Sequence, residues 1–365
     1  MIAKKEKIYI VTTIHPFDDV RIFFREIKTL EDRYEVIYLA PGARNVKDPS
    51  FKMIDLVPGS GLKNRLLRNI KTFIYLYRER PEILHFHDFE FSFFAILLKI
   101  FKRTSIIFDK HEFTGLVLDN RSWVPKFIKP LIRLLILIQE RIVDYFADEI
   151  IVANPLQLKK NQQATLLMNL PPRDHYKNYY SKKNFNEICY VGDITPSRGG
   201  WRLLEIIDRL PKDYKLYLVG RIRDNDLAKK IKANKKIKYL GYIPNNQIYK
   251  KLKSVGIGII PFLDKPQYRV SVPSKYFDYL GMGMLVLAPI FVKDSFGGKF
   301  NFVQGSFFVD GSVESFTNAL LGLEKIDSNR LSQENRNLFI NCYNWESESL
   351  KLLSVYEKII NRSKN

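Results

Sequence analysis

Four of the five histidines in this chain stand at the carboxyl ends of predicted strands. His15 follows the first strand, His85 and His87 end the segment EILHFH, and His111 ends TSIIFDKH. In a doubly wound sheet, loops at those ends line the ligand crevice, so the rings are expected to gather there. One loop histidine more often satisfies nearby backbone groups, but four together favour a functional cluster. Imidazole beside carboxylate suits proton transfer; the carboxylates that accompany the histidines are Asp18, Asp19, Asp88 and Asp109.

Three familiar chemistries do not fit these histidines. They come from separate strands, with no H-x-x-x-H helical pair and no H-x-E…C-x-x-C frame, so no metal is expected. The nucleophile elbow G-x-S-x-G of a hydrolase is absent. After the first strand the chain reads TTIHPFDDVR, where a dinucleotide-binding domain has G-x-G-x-x-G, so no dinucleotide cofactor is expected either.

A second chemical signal lies in SVPSKYFDYLGMGMLVLA, residues 271–288. We predict a helix with Ser274 as its N-cap and Lys275 at its first position, followed by a buried strand. Free backbone N–H groups at such a helix start suit a phosphate. Asp278, one turn later, would accept hydrogen bonds from the two hydroxyls of a ribose. An ordinary capped helix, with Asp278 favouring its dipole, is the alternative.

Further candidate binding residues follow earlier strands of the same half of the chain. Arg198 and Gly199 stand at a predicted helix start, where a bidentate side chain and close backbone approach suit a diphosphate. Arg221, after YLVG, would add a second cation, whereas a surface arginine at a helix start is the alternative for Arg198. Gly241 and Tyr242 end IKYLGY, a position from which backbone groups can contact a nucleobase.

Length and charge bound the function. A chain of 365 residues predicts two domains. The formal charge of +20 is spread over both halves, with 29 Lys and Arg against 21 Asp and Glu in residues 1–180 and 30 against 18 in the rest. Nucleic acid is not expected as the main ligand, because no RNA-binding aromatic signature or helix-turn-helix pattern accompanies the charge. A nucleotide, an anionic lipid-linked substrate or a membrane surface would also use such a field.

Membrane-spanning, secreted and disulfide-stabilised classes are not favoured. The apolar run LIRLLILI at 131–138 is far shorter than the ~20 residues of a bilayer span. The N-terminus has no signal-peptide cleavage pattern, and two cysteines predict no disulfide framework. A cytoplasmic protein is therefore expected.

Strand and helix patterns alternate along the chain and predict an α/β protein with doubly wound parallel sheets. We expect a first domain at 1–175, a linker at 176–185 and a second domain at 186–345. An amphipathic helix at 346–365 is expected to pack back on the first domain. One predicted helix, around 62–78, has an apolar stripe and a basic remainder with no acidic residue before Glu79. Contact with an anionic membrane and an ordinary solvated basic face both remain open for it.

Ordered motifs give the chain a resemblance to a known family. It resembles retaining glycosyltransferases of the GT-B fold, specifically glycosyltransferase family 4, over nearly its whole length. The motifs are HPFDDVRIFFRE at 15–26, ILHFHD at 83–88, IIFDKHE at 106–112, VGDITPSRGG at 191–200, YLGYIP at 239–244, PSKYFDYLGMGMLVLA at 273–288 and YNWE at 343–346.

The resemblance implies two Rossmann-like domains facing across a cleft, with the nucleotide-diphosphate sugar held by the second domain and the acceptor by the first. It implies a donor diphosphate site of Arg198, Gly199, Arg221, Ser274 and Lys275, a ribose ligand at Asp278 and base contacts at Gly241 and Tyr242. In the first domain it assigns His111, Asp19 and Arg21 to catalysis and His15, His87 and Asp88 to the acceptor side. The leaving phosphate would take the acceptor proton, with no protein nucleophile, metal or cofactor.

Three positions depart from the family pattern. Val270 stands where a second glutamate is common, so recognition of the sugar would differ or fall to the backbone of 269–272. Asp193 stands where a basic residue is usual, so Arg221 or Lys275 would have to partner Arg198. The double glycine usual after the first strand is also missing.

The favoured interpretation is a hexosyltransferase that acts on a lipid-linked or polysaccharide acceptor in cell-surface glycan synthesis, peripheral at the inner face of the cell membrane. A GT-B sugar-nucleotide epimerase would bind the same donor without an acceptor. A basic protein that binds nucleic acid or anionic lipid and has lost catalysis is the third interpretation.

Overall fold

The computed structural model describes residues 5–43, 51–56, 59, 61–111, 125, 127–161, 163–176, 181–298, 300, 302 and 304–364. It divides the chain into two compact units, Met1–Met168 with Ser349–Asn365, and Asn169–Glu348. The first unit ends at Met168, where the sequence predicted 175. Of the predicted linker 176–185, residues 177–180 lie outside the described part. Glu112, the acidic residue that follows His111, also lies outside it. The predicted α/β class with two doubly wound domains is confirmed.

The first unit is built on a parallel sheet of seven strands in the order β3-β2-β1-β4-β5-β6-β7. Short apolar and β-branched runs form these strands; the central residues of β1, β2, β4, β5 and β6 are buried, whereas those of the edge strands β3 and β7 are half-buried. The order changes direction between β1 and β4, which pair directly through Ile10 and His85. Loops after these two strands therefore flank the switch point of the sheet. The strands are β1 Lys7–Val11, β2 Glu35–Pro41, β3 Lys52–Leu56, β4 Ile83–Phe86, β5 Ser105–Lys110, β6 Glu149–Val152 and β7 Thr165–Leu166.

Helices cover both faces of this sheet. A π-helical segment, Ile22–Ile27, follows β1 and runs directly into α1. A short 3₁₀ turn, Phe89–Phe91, leads into α3. The α-helices are α1 Lys28–Leu30, α2 Leu62–Glu79, α3 Ser92–Lys102, α4 Lys129–Phe146, α5 Pro155–Lys160 and, at the chain end, α14 Trp345–Lys364.

From Ser349 onward, α14 belongs to the first unit. Tyr356 is buried, stacks on Tyr34 with ring centroids 5.4 Å apart, and places its hydroxyl 2.9 Å from Nδ1 of His85. Arg362 pairs with Glu149 at 3.0 Å. Through Tyr356, the terminal helix therefore contacts His85 in β4, one of the clustered histidines of the first unit.

The second unit is built on a parallel sheet of six strands in the order β10-β9-β8-β11-β12-β13. Its switch point lies between β8 and β11, which pair through Ile188 and Ile257. In this sheet, the strands predicted in IKYLGY and at the end of SVPSKYFDYLGMGMLVLA are present, at Ile237–Tyr239 and Leu285–Pro289. The strands are β8 Asn184–Val191, β9 Lys215–Val219, β10 Ile237–Tyr239, β11 Val255–Ile259, β12 Leu285–Pro289 and β13 Ser306–Val309.

The helix predicted within residues 271–288 is present, but its start differs from the prediction. Ser274 is the first helical residue and Pro273 is the N-cap, with no side-chain cap bond, so Ser274 is not the N-cap. Short 3₁₀ turns occur at Arg173–Tyr176 and Leu323–Lys325. The α-helices are α6 Gly200–Arg209, α7 Asn225–Ala233, α8 Asn245–Lys251, α9 Pro266–Arg269, α10 Ser274–Gly281, α11 Ile290–Ser295, α12 Val313–Gly322 and α13 Ser328–Asn341.

Helix α13 was not predicted, because polar side chains make up much of its buried face. Ser332 donates to the Gly283 carbonyl at 2.5 Å, and Asn335 donates to the Met284 carbonyl at 2.7 Å. Arg336 donates to the Gly281 carbonyl at 2.8 Å. These bonds satisfy backbone groups between α10 and β12, so α13 holds the helix that carries the predicted donor-binding residues.

Replacing Asn335 with alanine tests this support. The change removes donors to two buried carbonyls and is expected to cost about 1–3 kcal/mol of unfolding free energy. Asn337→Ala, on the exposed side of the same helix, is the matched control and is expected to cost less than about 0.5 kcal/mol. Urea unfolding followed by circular dichroism measures both. Equal losses in the two variants would show that α13 does not act through these bonds.

Candidate functional sites

The histidines of the first unit do gather at the carboxyl ends of adjacent strands. The rings of His85 and His87 lie 4.5 Å apart, those of His87 and His111 4.8 Å apart, and those of His111 and His15 5.3 Å apart. His87 Nδ1 and His111 Nε2 are 2.9 Å apart, so one proton can be shared between them. Because β1, β4 and β5 are neighbours in the sheet, residues that follow them in sequence meet in space.

Beneath these rings, one guanidinium joins two buried carboxylates. Arg21 Nε lies 2.8 Å from a Glu26 oxygen, and its terminal nitrogen lies 2.7 Å from Asp109 Oδ2. Its other terminal nitrogen donates to the Leu167 carbonyl at 2.7 Å. The π-helical segment explains the first pair, because Glu26 N–H donates to the Arg21 carbonyl five residues back and stacks the two side chains one turn apart.

Burial and the neighbouring charges shift the pKa values of Glu26 and Asp109 in opposite directions. Burial and the nearby charge of Asp109 raise the pKa of Glu26 well above its usual value, against the opposing effect of Arg21. Burial opposes ionisation of Asp109, but Arg21 and His111 outweigh it and hold the Asp109 pKa well below its usual value. Near neutral pH, Asp109 is therefore charged and Glu26 carries a proton, so that the buried charge is balanced by Arg21.

The two innermost histidines are neutral. Burial lowers the pKa of His85, and the Asp109 carboxylate only partly offsets it. Burial, followed by electrostatic interaction with the neighbouring His85 and His111 rings, lowers the pKa of His87 well below its usual value. A neutral His87 offers one ring nitrogen as donor and the other as acceptor, which fits its place between His111 and Glu26, whose Oε2 is 3.6 Å away.

Three of the predicted first-domain residues lie inside the unit and bond to protein groups. Arg21 is 4% exposed. His87 is buried between Glu26 and His111. Asp88 is also buried, and its Oδ2 accepts from Thr12 Oγ1 at 2.9 Å and from the Ile14 N–H at 3.1 Å. These three side chains position their neighbours in this structure.

The other three reach the surface. His15, Asp19 and His111 are each partly exposed, with side-chain exposures of 27%, 26% and 10%. Asp19 Oδ1 accepts from the Arg21 and Ile22 N–H groups, and its Oδ2 lies 3.8 Å from His15 Nδ1. His15 Nε2 lies 3.6 Å from Asp88. A substrate at this edge of the sheet would meet two imidazoles and one carboxylate.

A set of side chains in this cluster has the composition of a metal site. Ligand atoms of Glu26, His87, Asp109 and His111 all lie within 4.8 Å of one another. Imidazole and carboxylate donors suit zinc. Arg21, however, forms ion pairs with both carboxyl groups. A divalent cation there would be repelled by the guanidinium, which already supplies the positive charge. The arrangement favours an arginine-centred network over a metal centre.

In the second unit, two predicted cations converge on Tyr190 in β8. Lys275, at the second position of α10, has its ammonium 5.4 Å from the Tyr190 ring centre and 4.8 Å from the Phe262 ring centre. The charge of Arg198 lowers the Tyr190 pKa against the larger effect of burial, which raises it. The two positive groups thus lie beside each other at the carboxyl end of the central strand.

Glycines allow the backbone to come close to these cations. A Cβ on Gly192 would sit 3.6 Å from the Lys275 ammonium, and Gly192 adopts a φ of +127°. A Cβ on Gly199 would collide with the Pro261 carbonyl oxygen, 1.9 Å away. Gly199 is therefore required by packing against the β11 loop, and this places the start of α6 where the sequence predicted a diphosphate site.

Lys275 is electrostatically unusual. Burial, followed by the charge of Arg198, lowers its pKa to about 8, while Asp278 acts in the opposite direction. An anion bound beside the ammonium would restore the positive form. The pair of Arg198 and Lys275 is therefore short of negative charge, as a diphosphate site should be.

Arg221, Gly241 and Tyr242 form a second, more exposed group. The Arg221 guanidinium lies 4.8 Å from the centre of the Tyr242 ring, which is 65% exposed. Gly241 has a φ of +71°, and no atom lies within 4 Å of where its Cβ would be. Its carbonyl accepts from the Gly220 N–H at 2.8 Å. The edge of the sheet here presents a planar ring and cation on which a base could stack.

Asp278 is held by tyrosines. Tyr176 donates to its Oδ1 at 2.5 Å, and the Tyr249 hydroxyl lies 3.5 Å from the same oxygen. Burial, followed by the Asp278 charge, raises the pKa of Tyr176 well above its usual value, so that this hydroxyl stays a donor. The carboxylate is half-buried and fixed in orientation on the same face of α10 as Lys275.

The departures from the family pattern have local consequences. Asp193 pairs with the exposed Arg223 at 3.3 Å. Lys275, from another element, stands beside Arg198 in place of the usual neighbour in sequence. Val270 ends the short helix α9, whose Arg269 pairs with Asp264 at 2.5 Å.

Several important residues were not among the predicted site residues. Glu26 was quoted only within a motif, and a helical period of 3.6 would not place it beside Arg21. Tyr356 and Tyr176 lie far along the chain from the groups they bind, so no local pattern connects them. Tyr190 looked like an ordinary strand residue. Only Glu26 has a sequence signal, which is its place in the motif HPFDDVRIFFRE.

No protein-family model matches this chain, and no curated protein matches its sequence. Among solved structures, it is similar to the sucrose-phosphate synthase of Thermosynechococcus elongatus, with a TM-score of 0.73 and 14% identity over 98% of this chain and 100% of that chain. It is also similar to HepE of Anabaena in complex with UDP, with a TM-score of 0.72 and 11% identity over 97% and 100%.

A glycosyltransferase from Rickettsia africae matches with a TM-score of 0.67 and 14% identity, over 98% of this chain and 99% of that chain. At these identities the likeness is one of fold. The chain has the GT-B fold, and its structural neighbours are glycosyltransferases.

Arg21→Met tests the charge network of the first unit. The variant leaves the buried Asp109 carboxylate without its cation and the buried Glu26 carboxyl without its partner, and it is expected to lower the unfolding free energy by about 3–5 kcal/mol. Arg33→Met, which removes the exposed pair with Glu357, is the control and is expected to cost less than about 1 kcal/mol. Urea unfolding at neutral pH compares them. A loss for Arg21→Met no larger than that of the control would refute the balancing role of Arg21.

Proposed function

We propose that this chain is a retaining glycosyltransferase of the family 4 type, which transfers a hexosyl group from a nucleotide-diphosphate sugar. The observation that carries the proposal is the pair of Arg198 and Lys275 beside Tyr190 in the second unit. Two neighbouring cations, one with its pKa lowered by burial, need an anion. The complexes that a structural neighbour forms with UDP and UDP-glucose support a nucleotide as that anion.

The donor would lie along the carboxyl ends of the strands of the second unit. Arg198, Lys275 and the backbone at Gly199 and Ser274 would hold the diphosphate, with Asp278 on the ribose. The stacked pair of Tyr242 and Arg221, next to Gly241, would contact the base or the outer phosphate. Because Asp278 is already oriented by Tyr176, little ordering would be needed when the ribose binds.

Transfer would proceed with the leaving phosphate as base. The bond from the sugar C1 to the donor phosphate oxygen breaks, and the acceptor oxygen forms a new bond to C1 on the same face. The acceptor hydroxyl proton moves to the departing phosphate oxygen. Arg198 and Lys275 would stabilise the negative charge that grows on this phosphate, which is the role that metal ions have in other transferases. No metal or cofactor is part of this proposal.

In the first unit, the partly exposed groups His15, Asp19 and His111 would contact the acceptor and the transferred sugar. Arg21 and His87 would act as positioning residues, because they are buried and hold Asp109 and His111. Asp88 would act in the same way on the loop after β1. The acceptor would be lipid-linked or a polysaccharide, and the protein would work in cell-surface glycan synthesis at the inner face of the membrane.

A donor panel tests the reaction. The protein is incubated with UDP-, GDP-, ADP- and dTDP-sugars, and free nucleotide, free sugar and donor configuration are measured by NMR. We expect slow donor hydrolysis or transfer with retained configuration. Epimerised donor would indicate a sugar-nucleotide epimerase instead. If no nucleotide stabilises the protein against thermal unfolding, both enzyme interpretations are rejected.

The proposed contact of Asp278 with the ribose is tested by comparing the affinity for the ribonucleotide diphosphate of the preferred base with that for its 2′-deoxy analogue. Wild type is expected to bind the ribonucleotide diphosphate about tenfold more tightly, which corresponds to one hydrogen bond to a charged group. Asp278→Asn should remove most of this difference, whereas the exposed control Asp226→Asn should keep it. A preference for ribose that survives in Asp278→Asn would place the ribose elsewhere.

The pH dependence of donor binding tests Lys275. The ammonium is charged below its pKa of about 8 and loses its proton above it, so nucleotide-diphosphate affinity should fall as pH rises through this value, by up to about tenfold per pH unit. Lys275→Arg keeps the charge at all these pH values and should bind with nearly constant affinity. Calorimetry between about pH 7 and pH 9 measures both. Wild-type affinity that stays constant across this range would exclude Lys275 from the site.

A further inference from the structure

Helix α2 of the first unit turns polar side chains inward over its first half, and Phe73, Tyr75 and Leu76 nearer its end pack against the apolar core. Arg68 is buried and donates to the Gly59 carbonyl at 2.7 Å and to the Thr13 carbonyl. Asn69 and Thr72 are buried beside it. The apolar stripe of the helix faces outward instead, and Leu66 is 57% exposed. An ordinary Rossmann helix has the reverse arrangement.

Helix α4 is more apolar and still more exposed. Val143 is its one buried residue among the described residues of the helix. Leu134 is 54% exposed and Leu135 is 55% exposed, in the middle of the helix. Isolated exposed leucines are ordinary, but a whole helix of them is not.

The two helices belong to one surface. Helix α3 contacts both α2 and α4, and all three contribute buried residues to the same core cluster. Lys102 at the end of α3 lies 3.6 Å from the centre of the Tyr77 ring of α2. We call the exposed apolar side chains of these helices the outer helix face: Leu62, Leu66, Leu67, Ile70, Ile74, Tyr77, Phe93, Ile100, Phe101, Leu131, Leu134, Leu135, Leu137, Ile138, Ile142 and Tyr145.

Positive charge accompanies this face. The three helices contain ten Lys and Arg against three Asp and Glu. Of the acidic residues, Asp144 pairs with Lys110 at 2.5 Å. Lys63, Lys71 and Arg78 on α2 and Arg133 and Arg141 on α4 are exposed among the apolar side chains. Whatever covers the face must therefore be both apolar and anionic.

We propose that the outer helix face is a docking surface for an anionic phospholipid membrane. A second copy of the chain fits less well, because a two-fold interface would bring the basic residues of both copies together. Anionic headgroups complement the cations, while the acyl boundary takes the apolar side chains. Among the described residues, no helix has the length and apolar character needed to cross a bilayer. The helices would lie in the plane of the interface.

This inference deepens the proposed function, since a protein docked by its first unit would work on an acceptor carried by a lipid. It can fail separately from that function. Vesicle binding needs no nucleotide sugar, and none of the side chains on the outer helix face belongs to the proposed donor or acceptor sites.

Vesicle flotation of the full chain tests the proposal, with phosphatidylcholine vesicles and with mixed phosphatidylcholine–phosphatidylglycerol vesicles. Wild type should float with the anionic vesicles, and added salt should weaken the binding. The triple variant Leu134→Ser, Leu135→Ser, Ile138→Ser should bind at least tenfold more weakly. These side chains are exposed, so circular dichroism and thermal unfolding should remain unchanged. Leu350→Ser, an exposed leucine outside the face, is the apolar control and should bind like wild type.

Charge is tested separately. Lys63→Gln, Lys71→Gln and Arg133→Gln together should weaken binding to anionic vesicles by about fivefold for each charge removed. Lys229→Gln, Lys230→Gln and Lys232→Gln, on α7 of the second unit, change the net charge equally and should have little effect. The proposal is overturned if wild type does not float. It is also overturned if sedimentation shows a dimer that the serine variant dissociates, because a second copy would then cover the face.

Discussion

The first unit depends on how one arginine, Arg21, balances the buried charge of Asp109 and also pairs with the buried Glu26 carboxyl. A buried carboxylate without a cation is costly, and Glu26 and Asp109 come from different elements, the π-helical segment and β5. Arg21 can pair with both carboxyl groups because the chain after β1 forms a π-helical turn. In this turn the Glu26 N–H donates to the Arg21 carbonyl five residues back, which places Glu26 beside Arg21. The same guanidinium bonds to the Leu167 carbonyl near the end of the unit. The clustered histidines lie against this network, and His87 positions His111 through their hydrogen bond.

The second unit solves a different problem, which is to keep two cations, Arg198 and Lys275, side by side with Asp278 only partly offsetting their charge. Phe262 and Tyr190 shelter Lys275 and offer it the faces of aromatic rings. This partly compensates the desolvated ammonium but leaves its pKa lowered. Polar residues of α13 hold α10 in place from the other side through backbone carbonyls. The two cations are therefore held in place before any ligand binds, which would reduce the cost of binding a diphosphate at the proposed site.

The sequence predicted the sheets well because apolar strand runs are local and alternate with helices. It could not predict α13, since Asn335 and Ser332 are buried through bonds to carbonyls that no local pattern announces. It placed the histidines correctly at strand ends but could not separate the exposed His15 and His111 from the buried His87, because depth depends on packing across three strands. For α2, the period identified an apolar stripe and could not say which side faced inward, since Arg68 is buried by bonds to distant loops.

The central claim is that Arg198 and Lys275 recognise a diphosphate, and calorimetry with nucleoside diphosphate and monophosphate of the preferred base tests it most directly. At neutral pH the diphosphate should bind at least about tenfold more tightly, because its outer phosphate meets both cations. Arg198→Ala should reduce that advantage while changing the monophosphate affinity less. Equal affinities for the two nucleotides in wild type would contradict the account.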